Sequence, residues 1–300
     1  MPLSPSSAEL EGRVVSGHGR HVVVEAADGS RVLCHARGKK SETVVGDRVR
    51  WQRSGDEGVV EEVLARHSLL YRQDAWKTKA FAANLDQLLV VVAAEPVFSE
   101  SQLARALISA EAAGIPSRIV LNKQDLPSWA AAAARLAPYE TIGVEVVGVA
   151  LKKEPAPARE RLAPLLAGRA TLVLGPSGAG KSTLVNLMVA DAKAQIGEIS
   201  QALNTGRHTT TATHWYWIDR ERQSALIDSP GFQEFGLRHI PANELAGLMP
   251  DIGRHASECR FYNCSHLHEP GCGVLAALER GEIAESRYRI YREILAELTS

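Results

Sequence analysis

The sequence lacks an excess of charge of either sign. Its 34 Lys+Arg against 35 Asp+Glu leave a net charge of −1, so no global field draws it to nucleic acid and any RNA contact has to come from local patches. It also lacks long apolar runs. The longest aliphatic stretch, Leu88 to Ala94, is far short of the roughly 20 residues a membrane-spanning helix needs. Met1-Pro2-Leu3-Ser4-Pro5-Ser6-Ser7 has neither the basic nor the apolar region of a secretory leader. These absences predict a cytoplasmic protein with no membrane association. Cysteine is scarce: three of the four fall between Cys259 and Cys272, which in a cytosolic chain favours a metal site over a disulfide framework. Cys34 stands alone and is expected to pack as a small hydrophobe.

What is present suits a soluble globular chain of two or three domains: 300 residues, 45% hydrophobic and 23% charged. From about Gly12 to Leu64, short β-rich runs (Arg13–Val15, His21–Val24, Arg31–Cys34, Asp47–Trp51, Val59–Val63) alternate with turns such as Ala27-Asp28-Gly29-Ser30. Five such strands predict a small barrel of the oligonucleotide-binding (OB) type over 1–70. A basic, polar linker is expected around Tyr71 to Lys79. The period then changes to apolar strands, Gln87–Ala93, Ser117–Leu121, Val144–Val149 and Ala170–Leu174, separated by helical stretches. That alternation predicts a doubly wound α/β domain over 71–238. Over 239–300 a helical module is expected, with Pro241–Met249 helical and a terminal helix over Glu285–Leu298 whose Tyr288, Tyr291, Ile294 and Leu295 share one face. That stripe is expected to pack against the cysteine segment.

Gly175-Pro176-Ser177-Gly178-Ala179-Gly180-Lys181-Ser182-Thr183 satisfies GxxxxGK[ST] directly after an apolar strand and at the start of a helix. That context predicts a phosphate-binding loop, with Lys181 on the β- and γ-oxygens and Ser182 on Mg²⁺. Asn122-Lys123-Gln124-Asp125 follows the strand Ile119–Leu121. The acceptor-only carboxylate of Asp125 matches the adjacent N1–H and N2–H₂ donors of guanine, a pair that adenine lacks. Asn122 could meet the N7/O6 side, and Lys123 could lie along the base. Asp228-Ser229-Pro230-Gly231 has the DxxG form that reaches Mg²⁺ through water and senses the γ-phosphate. Gly206-Arg207-His208-Thr209-Thr210-Thr211 between them offers Thr210 to close over Mg²⁺. The expected cofactors are GTP or GDP with Mg²⁺.

The order is unusual, because the guanine-reading segment precedes the phosphate loop. A circularly permuted GTPase domain is therefore expected, in which the segments meet at the carboxyl ends of strands in one sheet. The cluster Cys259, Cys264, His266 and Cys272 offers a closed Cys₃His donor set for one structural Zn²⁺; His268 is a competing ligand, with His266 preferred.

Three features together resemble the RsgA family of circularly permuted, ribosome small-subunit-dependent GTPases: the β-rich N-terminal module, the order NKQD, GPSGAGKS, GRHTTT, DSPG, and the CxxxxCxHxxxxxC cluster before a helix with Arg287-Tyr288-Arg289-Ile290-Tyr291. The resemblance implies a role in late maturation of the 30S subunit, contact with its 16S rRNA, and GTP hydrolysis stimulated by the subunit. A nucleotide-gated RNA scaffold with incidental turnover is the alternative. A monomer is expected. Where the family carries Ser-Ala in its base-contacting loop, this chain has Gly148-Val149-Ala150. Phe232 follows Gly231, where Ras-like enzymes place a water-orienting Gln. His208 is the candidate for that task, with Arg207 as a charge stabiliser. Arg37, Lys39 and Lys40 are the candidate RNA contacts on the barrel.

Overall fold

A computed structural model describes residues 9–18, 21–36, 43–73, 78–189, 213–229 and 236–300. The N-terminal strands are β1 (Leu10–His18), β2 (His21–Ala26), β3 (Arg31–Ala36), β4 (Arg48–Ser54) and β5 (Glu57–Val63). They pair in the order β1-β2-β3-β5-β4, and β4 returns to β1 to close the barrel. Only β3–β5 is parallel. Val14, Val24, Val32, Val49 and Val60 surround a fully buried Trp51. Trp51 fits because Gly58 leaves it room: a Cβ there would lie 2.5 Å from Cys34 Sγ and 2.8 Å from the Trp51 ring. Cys34 packs as a small hydrophobe, and burial pushes its thiol up to about 12.

The expected linker is a hairpin instead. Strands β6 (Leu69–Gln73) and β7 (Thr78–Ala83) pair antiparallel. Leu70 and Ala82 turn inward onto Val15 and Val45 of the barrel, and the Ala83 N–H donates to the Val45 carbonyl (2.9 Å). Arg72 and Lys79, two of the basic residues that suggested a linker, belong to this short ribbon, whose apolar positions are too few for alternation to register.

The α/β layer contains β8 (Gln87–Ala93), α1 (Glu100–Ala112), β9 (Ser117–Asn122), α2 (Trp129–Glu140), β10 (Glu145–Gly148), α3 (Pro155–Leu166), β11 (Ala170–Leu174), α4 (Lys181–Met188), β12 (His214–Trp217) and β13 (Ala225–Asp228). Its sheet order is β10-β9-β8-β11-β13-β12, parallel except for β12. Every residue of β8 is buried. Leu88, Val90 and Val92 belong to one core and Leu89, Val91 and Ala93 to the other, one on each face. Chain order reverses between β8 and β11, creating the crevice at which such sheets bind ligands. The sheet continues into the barrel: β12 pairs with β1 at Ser16↔His214, and the Ser16 Oγ lies 3.0 Å from His214 Nδ1.

The C-terminal module holds a 3₁₀ turn (Ala242–Glu244), α5 (Pro250–Ala256), α6 (Gly273–Glu279) and α7 (Glu285–Thr299). The helix expected over Pro241–Met249 is only this turn. Pro250 excludes a helical conformation from the residue before it, and Met249 is extended at φ −118°, ψ 96°. Arg287 of α7 makes two hydrogen bonds to Asp251 (2.7 and 3.0 Å) and stacks 4.8 Å from the Tyr139 ring of α2, tying the module to the α/β layer. No helix among the described residues is long and apolar enough to cross a membrane.

Candidate functional site

The phosphate loop leaves β11 with three glycines at positive φ: Gly175, Gly178 and Gly180. Two of them also have no space for a side chain. A Cβ on Gly175 would lie 2.0 Å from the Val91 carbonyl oxygen of β8, and one on Gly180 would lie 2.3 Å from Asn122 Nδ2. The loop thus lies in the β8/β11 crevice. Helix α4 starts at Gly180 with no side-chain cap, so its first-turn amides have no competitor for an anion. Lys181 folds back over the loop, donating to the carbonyls of Gly175 (2.6 Å) and Pro176 (3.1 Å). Ser182 and Thr183 are exposed in the helix's first turn.

Asn122 ends β9 nearly buried, at 5% exposure. Its Nδ2 donates to the Ala179 carbonyl (2.8 Å), while its Oδ1 accepts from the Leu151 N–H (3.1 Å). One amide therefore joins three segments: the Asn122–Asp125 turn, the glycine-rich loop after β11 and the loop after β10. These bonds use one of the two Nδ2 hydrogens, so they are compatible with the expected contact of Asn122 to the base edge. Lys123 stands at φ +67°, and its Nζ donates to the Glu95 carbonyl. Gln124 and Asp125 are exposed on the turn that follows. A cavity of about 370 Å³ opens between the segments, lined by Asn122, Lys123, Asp125, Leu126, Lys152, Lys153, Gly178, Gly180 and Thr183. Lys152 and Lys153 were missed by sequence reasoning. They follow Gly148-Val149-Ala150 as ordinary surface lysines and carry no motif, although the loop's position after a strand end was a usable signal.

Asp228 ends β13, beside β11 in parallel register (Val173↔Asp228), which brings it near Lys181. Burial pushes the Asp228 carboxyl above its ordinary range, against the pull of Lys181 and a hydrogen bond from Ser229. Burial likewise draws the Lys181 ammonium below its ordinary range, against the attraction of Asp228. Both shifts mark charges removed from water without full compensation, as in a site completed by a phosphate and a cation. Arg207, His208, Thr210, Gly231 and Phe232 lie outside the described residues, as do Arg37, Lys39 and Lys40.

In the C-terminal module, one donor atom from each of Cys259, Cys264, His266 and Cys272 lies within 4.8 Å of the others. Cys259 Sγ is 3.8 Å from Cys272 Sγ, and His266 Nδ1 is 3.4 Å and 3.5 Å from these two sulfurs. Bonds of about 2.3 Å to sulfur and 2.0 Å to nitrogen around a tetrahedral zinc give edges of about 3.8 and 3.5 Å, so the donor set fits zinc. His268 is exposed and outside the cluster. The stripe on α7 packs here as expected: Tyr288 OH donates to the His266 carbonyl (2.7 Å) and Tyr291 OH to that of Ser265 (3.0 Å). Glu269 closes the loop by accepting from Ser265 Oγ and from the N–H groups of Ser265, Leu267 and His268.

Residues 63–238 match the sequence profile described as RsgA GTPase. The chain belongs to the RsgA GTPase family. It is 59% identical over 294 residues to the small ribosomal subunit biogenesis GTPase RsgA of Variovorax paradoxus (strain S110), covering 96% of this chain and 92% of that one. The protein of the same name from Burkholderia pseudomallei (strain K96243) is 52% identical over 99% of this chain and 95% of its own. Among solved structures, YjeQ from Thermotoga maritima aligns with a TM-score of 0.75 at 30% identity, over 98% of this chain and 99% of that one. YloQ, described as a circularly permuted GTPase, aligns with a TM-score of 0.71 at 27% identity, over 100% of this chain and 98% of its own. The expected fold class is the observed one: a barrel, a permuted GTPase layer and a Cys/His helical module.

Proposed function

We propose that the chain hydrolyses GTP to GDP and phosphate in the biogenesis of the small ribosomal subunit, and that the subunit stimulates the hydrolysis. One observation carries the nucleotide assignment. The buried Asn122 amide fastens the guanine-reading turn to the phosphate loop although 57 positions separate Asn122 from Ala179, so two motifs in reversed order build one cavity. In this reading Asp125 accepts from the base, Lys123 braces the phosphate loop, and Gly175 to Thr183 cradle the phosphates. The Ser182 hydroxyl and the Asp228 carboxylate would hold a Mg²⁺ ion, which would neutralise charge on the transferring phosphoryl group. Lys181 shifts from the loop carbonyls to the phosphate oxygens. Thr210 and Gly231 close on the γ-phosphate, and His208 orients the water that attacks it. The Cys/His module holds one Zn²⁺ through Cys259, Cys264, His266 and Cys272. The units are 1–70, 71–238 and 239–300, and the protein works as a monomer in the cytoplasm, with 16S rRNA as its RNA contact.

The test is multiple-turnover GTP hydrolysis with and without purified small subunits. A large acceleration by small subunits, absent with large ones, is the expected result. Equal turnover in both would leave the chain as a nucleotide-gated scaffold. His208→Ala is expected to keep GTP affinity and subunit binding while losing most of the stimulated rate. Full stimulated turnover in that variant would assign the water to another group.

A further inference from the structure

Two loops wall the base end of the cavity: the turn carrying Asp125, and the loop after β10 that brings Lys152 and Lys153. Their backbones are joined, with the Gln124 N–H donating to the Val149 carbonyl (3.0 Å). From outside the cavity, Arg161 of α3 reaches across both. Its Nη1 donates to the Gly148 carbonyl (2.7 Å) and to Gln124 Oε1 (3.0 Å). Both acceptors are neutral. We infer that Arg161 is a positioning residue for guanine recognition: by holding Gln124 against the end of β10, it fixes the turn whose next residue, Asp125, reads the base.

The geometry gives the clamp leverage. Gln124 lies between Lys123, at φ +67°, and Asp125, which lines the cavity. If the Gln124 side chain is drawn to the α3 side, the turn is held in one arrangement and Asp125 is left to face the ligand. Gly148 is part of the device, because a Cβ there would lie 2.9 Å from the Trp129 ring and 3.4 Å from Gln124 Oε1. The close neighbour is the Trp129 ring, which would have to shift, whereas the Gln124 amide lies at ordinary contact distance. The x position of an NKxD segment usually reads as filler. Here it is the handle by which a helix 37 residues downstream sets the base-reading turn.

This rests on Asp125 being the guanine reader, and the experiment separates the two claims. Affinities of the full-length protein for GDP, IDP and ADP are measured by calorimetry for the parent and for Arg161→Ala, Gln124→Ala, the double variant and Arg161→Lys, together with melting temperatures. IDP lacks the 2-amino group, so the GDP/IDP ratio reports how well the carboxylate is aimed. The expected result for Arg161→Ala is a loss of several-fold in GDP affinity with a smaller loss for IDP, so that the ratio falls at an unchanged melting temperature. Arg161→Lys should restore part of the ratio, and the double variant should lose no more than Arg161→Ala alone, the mark of two residues acting as one unit. An unchanged ratio in Arg161→Ala, or strictly additive losses, overturns the clamp. A parent protein that binds ADP as well as GDP overturns the guanine reading itself.

Discussion

At the scale of single residues, the cavity divides into groups already engaged by protein and groups left waiting. Asn122 gives one amide hydrogen to Ala179 and accepts from Leu151. Asp125 is the free acceptor, so base choice rests on it. Asp125→Asn is expected to weaken GDP binding about 100-fold or more and to favour xanthosine diphosphate, whose extra carbonyl accepts from an amide; competition binding with the two nucleotides reads this directly. Lys181 is the waiting charge. In the ligand-free protein it is half-buried, donates to two carbonyls, and is drawn below its usual range by burial against the attraction of Asp228. Lys181→Met should therefore abolish nucleotide binding while leaving the melting temperature of the ligand-free protein unchanged or higher, the usual trade of a functional group against stability. A marked fall in that temperature would mean that the ammonium is a structural group.

At the scale of elements, how legible each segment was in the sequence depended on how its contacts are distributed. Strands such as β8 and β11, and helices α1 and α7, announce themselves through apolar runs or a buried stripe, because their partners lie on a wide face. The β6–β7 ribbon has few inward residues, Leu70 and Ala82 among them, and its sequence is polar and basic; composition alone made it a linker. The phosphate loop and the Asp125 turn were readable as motifs, since each is a continuous string with its own chemistry. The roles of Asn122 and Arg161 were not, because their partners are remote in the chain and no local pattern records a contact. The metal loop shows the same division. Its donor spacing was visible, whereas the anchoring of the His266 and Ser265 carbonyls by Tyr288 and Tyr291 was foreshadowed only as a stripe. Chelation of the metal should lower the helix content of the C-terminal module, as metal and fold are coupled in small sites. Tyr291→Phe should cost about 1 kcal/mol of stability and speed zinc loss to a chelator. Unchanged circular dichroism at full zinc removal would show that the module stands without its metal.

At the scale of the whole molecule, the barrel and the α/β layer meet around one buried carboxylate. Glu25, 5% exposed, accepts from Trp217 Nε1 (2.7 Å) and Arg31 Nε (3.0 Å), and lies 3.5 Å from Arg222. Arg13 lies 4.5 Å from the Trp215 ring beside it. Glu25→Gln keeps one carbonyl acceptor but leaves two guanidinium groups short of charge. It should cost about 1 to 3 kcal/mol and split a single melting transition into separate barrel and GTPase steps. Calorimetry showing one transition at the parent temperature would place the coupling elsewhere.

The strand at this junction has a further consequence. β12 is paired along four positions with β13, which ends in Asp228, and among the described residues it pairs with β1 at Ser16↔His214. Ser16, His214 and Asp228 thus lie in one row across three strands, and the Glu25–Trp217 hydrogen bond joins β2 to the other end of β12. Any displacement of the Asp228 end on nucleotide exchange would therefore reach the barrel along this row and through the Glu25 contacts together.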